Sequence, residues 1–441
     1  MLRFRMLAVT AAVSALAILG FAGTASAKTQ IHWWHAMGGA LGERVEEITA
    51  NFNRSQSDYE LISTYKGSYP ETMTAGIAAF RAGKQPQILQ VFEVGTATMM
   101  AAKGAIKPVY EVMAEAGVPF DSGDYLGAVS GYYTTTDGKM LSMPFNSSTP
   151  ILFYNKEAFE KAGLDPNAPP KTWPEVGEYA AKIVAAGYPC GFSTAWQSWI
   201  HLENFSAWHD VPFGTKENGF AGFDTEFTFN GPLQVKHIQQ LADWQKDKIF
   251  VYGGRRNLGN VKFTSGECGM YTESSAGYGG FKAGAKFPFG MANLPYWPDA
   301  PGAPQNTIIG GSSLWVLAGS KPEEYKGVAA FFNFLSLPMV QAYWHANTGY
   351  VPITTGAYEL MKKLKFYEDN PGRDIPILQL GAKEPTGNSK GLRFGNFAQV
   401  RDIIYEELEA IWAGQKTAQQ GLDAAVARGN DILRKFEKSQ N

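Results

Sequence analysis

The amino-acid sequence predicts an α/β protein with two domains. Strand-like and helix-like segments alternate along the chain, which is typical of α/β folds. The chain has 441 residues, too many for a single hydrophobic core but enough for two domains. It carries 39 basic and 41 acidic residues without a basic stripe, so its charge does not favour nucleic acid or a membrane surface as the partner.

The first residues have the pattern of a secretory signal peptide. Two arginines precede an apolar run over residues 6–21, and a segment of small residues follows that run. We expect cleavage after Ala27, which makes residues 1–27 the signal peptide; a retained membrane anchor is the alternative. No uninterrupted apolar segment after residue 27 is long enough to cross a bilayer, so we expect an exported, soluble protein.

The segments that follow predict strands and helices in alternation. "TQIHWWHA" predicts a strand, and "ALGERVEEITANFNRS" predicts a helix because Val45, Ile48 and Phe52 recur at helical spacing. "YELISTYKG" and "PQILQVFEVG" predict the second and third strands. Strands that alternate with helices favour a parallel sheet.

A second helix is predicted between the second and third strands. "SYPETMTAGIAAFRAG" begins with Ser68 and has Glu71 three residues later, which is the capping-box pattern, and Pro70 lies in the first turn. Tyr69 therefore lies at the start of this helix, where backbone N–H groups suit an anionic partner.

The rest of the chain predicts a second α/β region from about residue 142 to residue 300 and a helix-rich last third. Between them stands "TIIGGSSLWV", Thr307 to Val316, with two glycines and two serines between apolar residues. We interpret this stretch as a loop suited to holding an anion, although it matches neither a Walker loop nor a dinucleotide fingerprint.

Two cysteines, Cys190 and Cys268, leave two interpretations open. A disulfide bond is consistent with an exported protein, and two buried thiols are the alternative. No Cys-x-x-Cys motif occurs, so redox chemistry is not expected.

The sequence contains no recognisable catalytic set. His32 and His35 are three residues apart on a predicted strand, so their rings should face opposite sides. No His-Glu-x-x-His motif, Asp-rich cluster or Gly-x-Ser-x-Gly elbow is present. We therefore expect no enzyme activity, no cofactor and no metal.

Longer motifs resemble a known family. "ILFYNKEAFEKAGLDPNAPPKTWPEV" is similar to the signature of family 1 extracellular solute-binding proteins, and "GGSSLWVLAGSKPEEYKGVAAFFNFLSLP" with "TGYVPIT" resembles the second half of that family. Within the family, "PFNSSTPILFYN" and "KGLRFGNFAQVR" are most similar to receptors of ABC uptake systems for sn-glycerol 3-phosphate.

This resemblance implies a periplasmic-binding-protein type II fold, in which two discontinuous α/β lobes enclose a ligand cleft. The expected N-terminal lobe comprises residues 28–147 and 305–348, and the C-terminal lobe comprises residues 150–300 and 352–441. The implied function is capture of sn-glycerol 3-phosphate, or of glycerophosphodiesters such as glycerophosphocholine, by a periplasmic monomer. The ligand would be delivered to the permease subunits of an ABC transporter and their cytoplasmic ATPase. An oligosaccharide receptor of the same fold and an exported phosphodiesterase or phosphatase are the alternatives.

Arg401 is the first candidate ligand-binding residue. Asn396 is expected to cap a helix whose apolar stripe includes Val400 and Leu408, with Arg401 at the border of that stripe. A guanidinium group matches the geometry of phosphate with two parallel hydrogen bonds. The alternative is a solvated arginine or a salt bridge to a neighbouring acid such as Glu407.

The resemblance assigns the other candidates. Gly311 would donate its backbone N–H to the phosphate, because a residue without a side chain allows close approach. Neutral hydroxyl donors to the same group would be Ser148, Ser274, Tyr69 and Tyr350.

Two further candidates would contact the glycerol part of the ligand. Glu93 would accept hydrogen bonds from the glycerol hydroxyls, at the end of the ligand opposite the phosphate. Trp196 would form an apolar wall, with Trp199 as the weaker candidate. Glu273 lies next to Ser274, and we expect strand alternation to turn its carboxylate away from the phosphate.

Overall fold

The computed structural model describes residues 27–102 and 104–440, so the predicted signal peptide, apart from Ala27, lies outside the described residues. The first part of the chain forms β1 (Thr29–His35), α1 (Gly39–Ser55), β2 (Tyr59–Tyr65), α2 (Tyr69–Arg81), β3 (Ile88–Phe92), α3 (Thr96–Ala101), β4 (Ile106–Lys107), α4 (Val109–Glu115), α5 (Gly127–Tyr133) and β5 (Met143–Ser148).

The middle of the chain forms β6 (Pro150–Asn155), α6 (Lys156–Lys161), α7 (Trp173–Ala185), β7 (Cys190–Thr194), α8 (Phe205–Trp208), α9 (Thr215–Gly219), α10 (Pro232–Lys246), α11 (Asn260–Thr264), β8 (Cys268–Ser274), α12 (Tyr278–Gly284) and β9 (Phe289–Ala292). A π-helical segment, Trp199–Asn204, directly precedes α8.

The last part forms β10 (Gly310–Leu317), α13 (Pro322–Ser336), α14 (Pro338–Asn347), α15 (Thr355–Lys363), α16 (Phe366–Asp369), α17 (Ile375–Leu380), α18 (Phe397–Trp412) and α19 (Ala418–Lys438). Short 3-10 turns occur at Glu93–Gly95, Ser122–Asp124 and Ser275–Gly277.

The strands form two sheets, one for each half of the fold. The six-stranded sheet has the order β2-β1-β3-β10-β4, with β5 paired to β10. The four-stranded sheet has the order β7-β8-β6-β9. The prediction of parallel pairing is confirmed for β1, β2 and β3, whereas β10 runs antiparallel to β3, β4 and β5.

The first five elements agree with the prediction from periodicity. The side chains of Val45, Ile48 and Phe52 in α1 are buried, as their helical spacing requires. At the start of α2, the Glu71 carboxylate accepts hydrogen bonds from the backbone N–H of Ser68 at 2.6 Å and from its hydroxyl at 2.7 Å. These two contacts fix the helix start at Tyr69.

The stretch "GGSS" is a strand, so its interpretation as a loop is wrong. It opens β10, where Gly311 pairs with Ser147 of β5. Gly311 has φ +100°, and a Cβ built on it would lie 1.9 Å from the carbonyl oxygen of Asn146. Glycine is therefore required here by the close approach of the β5 backbone, not by a turn.

The chain passes between the two sheets at two segments, one of them a single residue. Thr149 alone separates β5 of the six-stranded sheet from β6 of the four-stranded sheet. The segment between β9 and β10 makes the return passage. Further on, Val351 bridges to Ser147 and Thr354 bridges to Tyr125. The lobe boundaries stay a prediction, but these passages place the ends of several strands close together.

The two cysteines form a disulfide bond, which decides between the alternatives that the sequence left open. Cys190 begins β7, Cys268 begins β8, and the two residues are direct partners in the parallel register. The bond joins positions 78 residues apart in the chain and ties neighbouring strands of the four-stranded sheet together.

Candidate functional site

Arg401 lies on the buried side of α18, within a group of acidic side chains. Val400, Ile404 and Leu408 are fully buried in the same helix, and Arg401 itself is 5% exposed. Its Nε donates to Oε1 of Glu203 at 2.9 Å, and its Nη2 donates to Oε2 of Glu203 at 2.5 Å. The predicted helix is confirmed, but Asn396 has a left-handed backbone and makes no side-chain cap.

Glu93 is the second carboxylate that contacts Arg401. It follows β3 in a 3-10 turn, is 6% exposed, and accepts a hydrogen bond from Nη2 of Arg401 at 2.8 Å. Because Glu93 follows a strand of the six-stranded sheet and Glu203 lies in the other half, Arg401 joins the two halves. The alternative partner, Glu407, is instead paired with lysine and arginine side chains further along the chain.

The contact between Arg401 and Glu93 corrects one expectation. Glu93 was expected at the end of the ligand opposite the phosphate, whereas its carboxylate touches the guanidinium group. With both carboxylates ionised, the cluster of Glu93, Glu203 and Arg401 has a net charge of minus one. Burial raises the pKa of Glu93 above its ordinary value, although Arg401 acts in the opposite direction. The cluster therefore favours uptake of a proton on Glu93.

The two candidate tyrosines approach each other from different elements. Tyr69, at the start of α2, stacks on Phe92 with ring centroids 5.5 Å apart, and its hydroxyl accepts from Nδ2 of Asn146 at 2.8 Å. Tyr350 stacks on Trp344 with centroids 5.6 Å apart. Burial raises the pKa of the Tyr69 hydroxyl, and the neighbouring Tyr350 adds to that effect. Both hydroxyls thus stay protonated and keep a hydrogen to donate.

Ser148, Ser274 and Gly311 meet where the chain passes between the sheets. Ser148 is the register partner of Gly310, next to Gly311, and Ser274 is the partner of Pro150. The backbone N–H of Ser275 donates to the carbonyl of Thr149 at 2.9 Å, which holds the end of β8 against this passage. The hydroxyl of Ser274 accepts from the N–H of Ala276 at 3.2 Å, so it caps a turn and retains its own hydrogen.

Two more serine hydroxyls at this passage have no protein partner. The Oγ atoms of Ser147 and Ser275 are buried and make no hydrogen bond to any described residue. A buried hydroxyl without a partner costs free energy, so such groups commonly mark a place where another molecule binds. The two free hydroxyls would suit a ligand that accepts several hydrogen bonds.

Trp196 and Glu273 form the remaining side of the site. Trp196 is partly buried against two apolar clusters and has φ 40°, an uncommon conformation for a tryptophan. Trp199, by contrast, is 4% exposed and packs against the backbone at Gly310. The structure therefore leaves Trp196 as the more accessible of the two rings.

Glu273 is buried next to Ser274, and the orientation expected from strand alternation stays a prediction. Glu273 is 2% exposed, its Oε1 accepts from the N–H of Ser274 at 2.6 Å, and its Oε2 has no partner among the described residues. Burial raises the pKa of the carboxyl to about 8, although the hydrogen bond from the N–H of Ser274 acts in the opposite direction. Glu273 is therefore mainly neutral at pH 7 and can lie near an anion without repelling it.

Comparisons with known proteins show the family of the chain. Residues 47–374 match the family described as "Bacterial extracellular solute-binding protein". The chain belongs to this family. The family consists of binding proteins, so the expectation that the chain is not an enzyme is confirmed.

Individual relatives extend over almost the whole chain. The sn-glycerol-3-phosphate-binding periplasmic protein UgpB of Escherichia coli (strain K12) is 53% identical over 97% of this chain and 98% of its own length. UgpB of Pectobacterium atrosepticum is 52% identical over 98% of this chain and 97% of its own length. This member of the family is thus similar to its relatives from end to end, and its resemblance to the glycerol-phosphate receptors is confirmed.

Solved structures confirm the expected fold. UgpB from Mycobacterium tuberculosis, in complex with glycerophosphocholine, superposes with a TM-score of 0.76 at 22% identity over 93% of this chain and 99% of that one. The cyclic alpha-maltosyl-1,6-maltose binding protein from Arthrobacter globiformis superposes with a TM-score of 0.73 at 24% identity, over 92% of this chain and 100% of that one. Both are solute-binding proteins with the periplasmic-binding-protein fold.

Neither a metal-binding group of side chains nor a membrane-spanning helix is found within the described residues. No group of histidine, cysteine and acidic side chains in residues 27–102 and 104–440 has the arrangement of a metal site. In the same ranges, no helix has the length and apolar character needed to cross a membrane.

A cavity of about 440 Å³ lies elsewhere between the two halves. Its lining includes Thr135, Phe220, Asn306, Lys390 and Arg393, and none of the eight predicted site residues. We place the candidate site around Arg401, Ser148, Ser274 and Gly311, which the resemblance selects, although Oδ1 of Asn306 and Nε of Arg393 at this cavity also have no partner among the described residues.

Sequence reasoning missed three residues of the site. Glu203 lies 198 positions before Arg401 in a π-helical segment, and no local pattern indicates its role. Asn146, which contacts Tyr69, lies within the quoted motif "PFNSSTP" but was not singled out. Tyr405, whose buried hydroxyl has no partner among the described residues, could have been found, because it lies four residues after Arg401 and so on the same helix face.

Proposed function

We propose that this protein is the periplasmic receptor of an ABC importer that binds sn-glycerol 3-phosphate and does not turn it over. The proposal is supported by one observation: Ser148, Ser274 and Gly311 lie where the chain passes between the sheets, and Arg401 joins the two halves through Glu93 and Glu203. Relatives that are more than 50% identical over nearly the whole chain are named for binding this compound.

The donors at the site suit a phosphate group. The hydroxyls of Tyr69, Tyr350, Ser148 and Ser274 and the N–H of Gly311 would donate to its oxygens without adding charge. The unpartnered hydroxyls of Ser147 and Ser275 add two further donors. An uncharged oligosaccharide would not require a buried guanidinium beside so many donors, which argues against the sugar-receptor alternative.

The guanidinium group of Arg401 would provide the charge. Its Nε and Nη2 are engaged by Glu203 and Glu93, whereas Nη1 makes no hydrogen bond to any described residue. A phosphate oxygen would bind at Nη1, and Glu93 would share its carboxylate between Nη2 and a glycerol hydroxyl. Uptake of a proton on Glu93, which its raised pKa favours, would lower the repulsion between that carboxylate and a dianion.

Binding would stabilise the closed arrangement of the two halves. A ligand that contacts Glu93 and Gly311 on one side and Ser274 and Arg401 on the other favours closure by its contacts with both. The closed receptor would then deliver the ligand to the permease subunits in the membrane. Export after cleavage at Ala27 would place the receptor in the periplasm.

A glycerophosphodiester is the second candidate ligand. It shares the phosphoglycerol group and would use the same donors, but it carries one negative charge instead of nearly two. The solved structure with glycerophosphocholine concerns a relative of 22% identity, so it supports the fold rather than the ligand.

Titration calorimetry tests the proposal. Protein purified from periplasmic extract would be titrated with sn-glycerol 3-phosphate, glycerol, glycerophosphocholine and maltose, and free phosphate would be assayed afterwards. We expect a dissociation constant in the micromolar range or below for sn-glycerol 3-phosphate, no measurable binding of glycerol or maltose, and no phosphate release. Binding of maltose without binding of the phosphate compound would refute the proposal, and sustained phosphate release would support an enzyme.

A further inference from the structure

The site described above has little positive charge for a phosphate dianion. Arg401 is flanked by Glu93 and Glu203, which together offset its charge. A buried site that binds a dianion generally needs more positive charge than this arrangement supplies. A second cation in the loops around the site would supply the missing charge.

Arg256 lies in the loop that contacts Trp196. The carbonyl oxygen of Arg256 accepts a hydrogen bond from the N–H of Trp196 at 2.8 Å. Both residues have left-handed backbones, with φ 54° for Arg256 and φ 40° for Trp196. Non-glycine residues in this region are strained and cluster at functional sites. Two such residues bonded to each other beside a candidate ligand site are a notable concentration of strain.

The loop that contains Arg256 is held by contacts with the face of α18 that carries Arg401. Arg255 donates to Oε1 and Oε2 of Glu409 at 2.9 and 2.5 Å, and its guanidinium lies 5.8 Å from the ring of Tyr405. Tyr405 and Glu409 follow Arg401 by four and eight residues, so all three lie on one face of α18. The neighbouring Arg256 is thereby held close to this face.

The charge of Arg256 reaches groups on both halves of the fold. The pKa of the Glu71 carboxyl is lowered, mainly by hydrogen bonds from Ser68, and Arg256 contributes to the lowering. Burial raises the pKa of Tyr405, and Arg256 is one of two arginines that oppose it. Glu71 belongs to the helix that begins at Tyr69, so the charge of Arg256 acts on one group at the start of α2 and on another in the middle of α18.

Two polar groups in this region have no partner. The side chain of Arg256 makes no hydrogen bond or ion pair with any residue in the described part of the chain. Arg256 as a whole is only partly buried. The hydroxyl of Tyr405, which is 1% exposed, is also without a partner among the described residues. A buried hydroxyl and a nearby unpaired guanidinium together match what an oxyanion requires.

We propose that Arg256 is a second cation of the ligand site, which binds the phosphate together with the Tyr405 hydroxyl and selects the doubly charged monoester over singly charged diesters. This inference rests on the proposed function. Gly253 and Gly254 precede Arg256 in the loop and Gly259 follows it, so the loop has residues that tolerate a change of backbone conformation. The second guanidinium supplies the positive charge that Arg401 alone does not provide.

Calorimetry of three variants tests this inference. Arg256→Gln removes the charge, and Arg256→Gly removes the side chain while relieving the left-handed strain, so the glycine variant is expected to fold at least as well as the parent protein. Arg81→Gln is the matched control, because it removes one positive charge at the far end of α2 from Tyr69. Each protein is titrated with sn-glycerol 3-phosphate and with glycerophosphocholine at pH 7.5.

Both Arg256 variants should bind sn-glycerol 3-phosphate roughly ten- to hundredfold more weakly, while glycerophosphocholine, where it binds, loses distinctly less affinity. Arg81→Gln should leave both affinities unchanged. Unchanged affinity in the Arg256 variants would overturn the inference, and an equal loss for the two ligands would overturn its specificity claim. If the parent protein does not bind sn-glycerol 3-phosphate at all, it is the proposed function that fails.

Discussion

The guanidinium Nη2 of Arg401 lies 2.8 Å from Oε1 of Glu93, and this contact connects the two halves of the protein. The same Nη2 is 2.5 Å from Oε2 of Glu203, so one arginine holds two buried carboxylates. Breaking a buried ion pair by removing one partner leaves an uncompensated charge and is strongly destabilising. The arrangement therefore couples ligand binding to the stability of the contact between the halves.

Replacement of Arg401 by alanine should weaken binding of sn-glycerol 3-phosphate by about 2–5 kcal/mol, because a desolvated anion loses a charge-assisted partner. Titration calorimetry measures the effect, and circular dichroism checks that the secondary structure is retained. Arg428→Ala is a suitable control, since Arg428 is 43% exposed and pairs with Glu406 and Glu407 away from the site. Equal affinities for the Arg401 variant and the parent protein would mean that the anion binds elsewhere.

Gly311→Ala should destabilise the fold and abolish tight binding. The added Cβ would lie 1.9 Å from the carbonyl oxygen of Asn146, so β5 or β10 must shift at the site. Gly302→Ala is the matched control, because Gly302 has φ +80° with no atom within 4 Å of the added Cβ. Both variants carry the left-handed strain of about 1–2 kcal/mol, and the Gly311 variant should lose roughly a further 1–3 kcal/mol. Urea denaturation gives both values, and equal losses would be inconsistent with a backbone clash.

Affinity for the phosphate ligand should fall as the pH rises above 8. Burial holds the pKa of Glu273 at about 8, so the carboxyl is neutral below that pH and becomes a carboxylate above it. A carboxylate near the bound phosphate repels it, with a loss of up to about tenfold per pH unit. Glu273→Gln keeps the shape without the ionisation, so it should bind equally well at pH 7 and lack the alkaline loss. An identical pH profile in this variant would assign the loss to another group.

The protein should lose stability in mild acid. Burial lowers the pKa of His35 and His209 to about 4 and of His201 and His345 to about 3, and it places the pKa of His237 well below its ordinary value. The unfolded chain takes up protons on these side chains near pH 6.5, whereas the folded chain does not. Their contribution is fully present above pH 6.5 and is lost as the pH falls toward 4.

Two buried carboxyls act in the opposite direction. The pKa values of Glu93 and Glu273 are raised in the folded protein, so their protonation adds stability as the pH falls toward 4.5. Because five histidines oppose two carboxyls, the net result should be a loss of several kcal/mol between pH 6.5 and 5. Urea denaturation at a series of pH values measures it. A free energy of unfolding that stays constant over this range would contradict the burial of these rings, and His345→Gln should make the slope shallower.

Local sequence patterns predicted the early elements well, since they depend on neighbouring residues. The spacing of Val45, Ile48 and Phe52 and the pair Ser68 and Glu71 determine α1 and α2 without reference to the rest of the fold. Gly311 was recognised as a special position, but the reason for it is the β5 backbone more than 160 residues earlier in the chain. No local pattern could reveal that approach.

The candidate site was likewise predictable only in part. The resemblance selected eight residues, and the structure brings three of them, Ser148, Ser274 and Gly311, to the passage at Thr149. The partners of Arg401 could not be predicted, because Glu203 and Glu93 lie 198 and 308 positions away in the chain. Electrostatic partners at such separations depend on the assembled fold, which local periodicity does not encode.

A crystal structure of the protein with bound sn-glycerol 3-phosphate tests the central claim most directly. The account predicts phosphate oxygens within hydrogen-bonding distance of Arg401, Ser148, Ser274 and the N–H of Gly311, with the glycerol carbons against Trp196. A phosphate located instead in the cavity beside Lys390, with Arg401 still engaged only by Glu93 and Glu203, would contradict it.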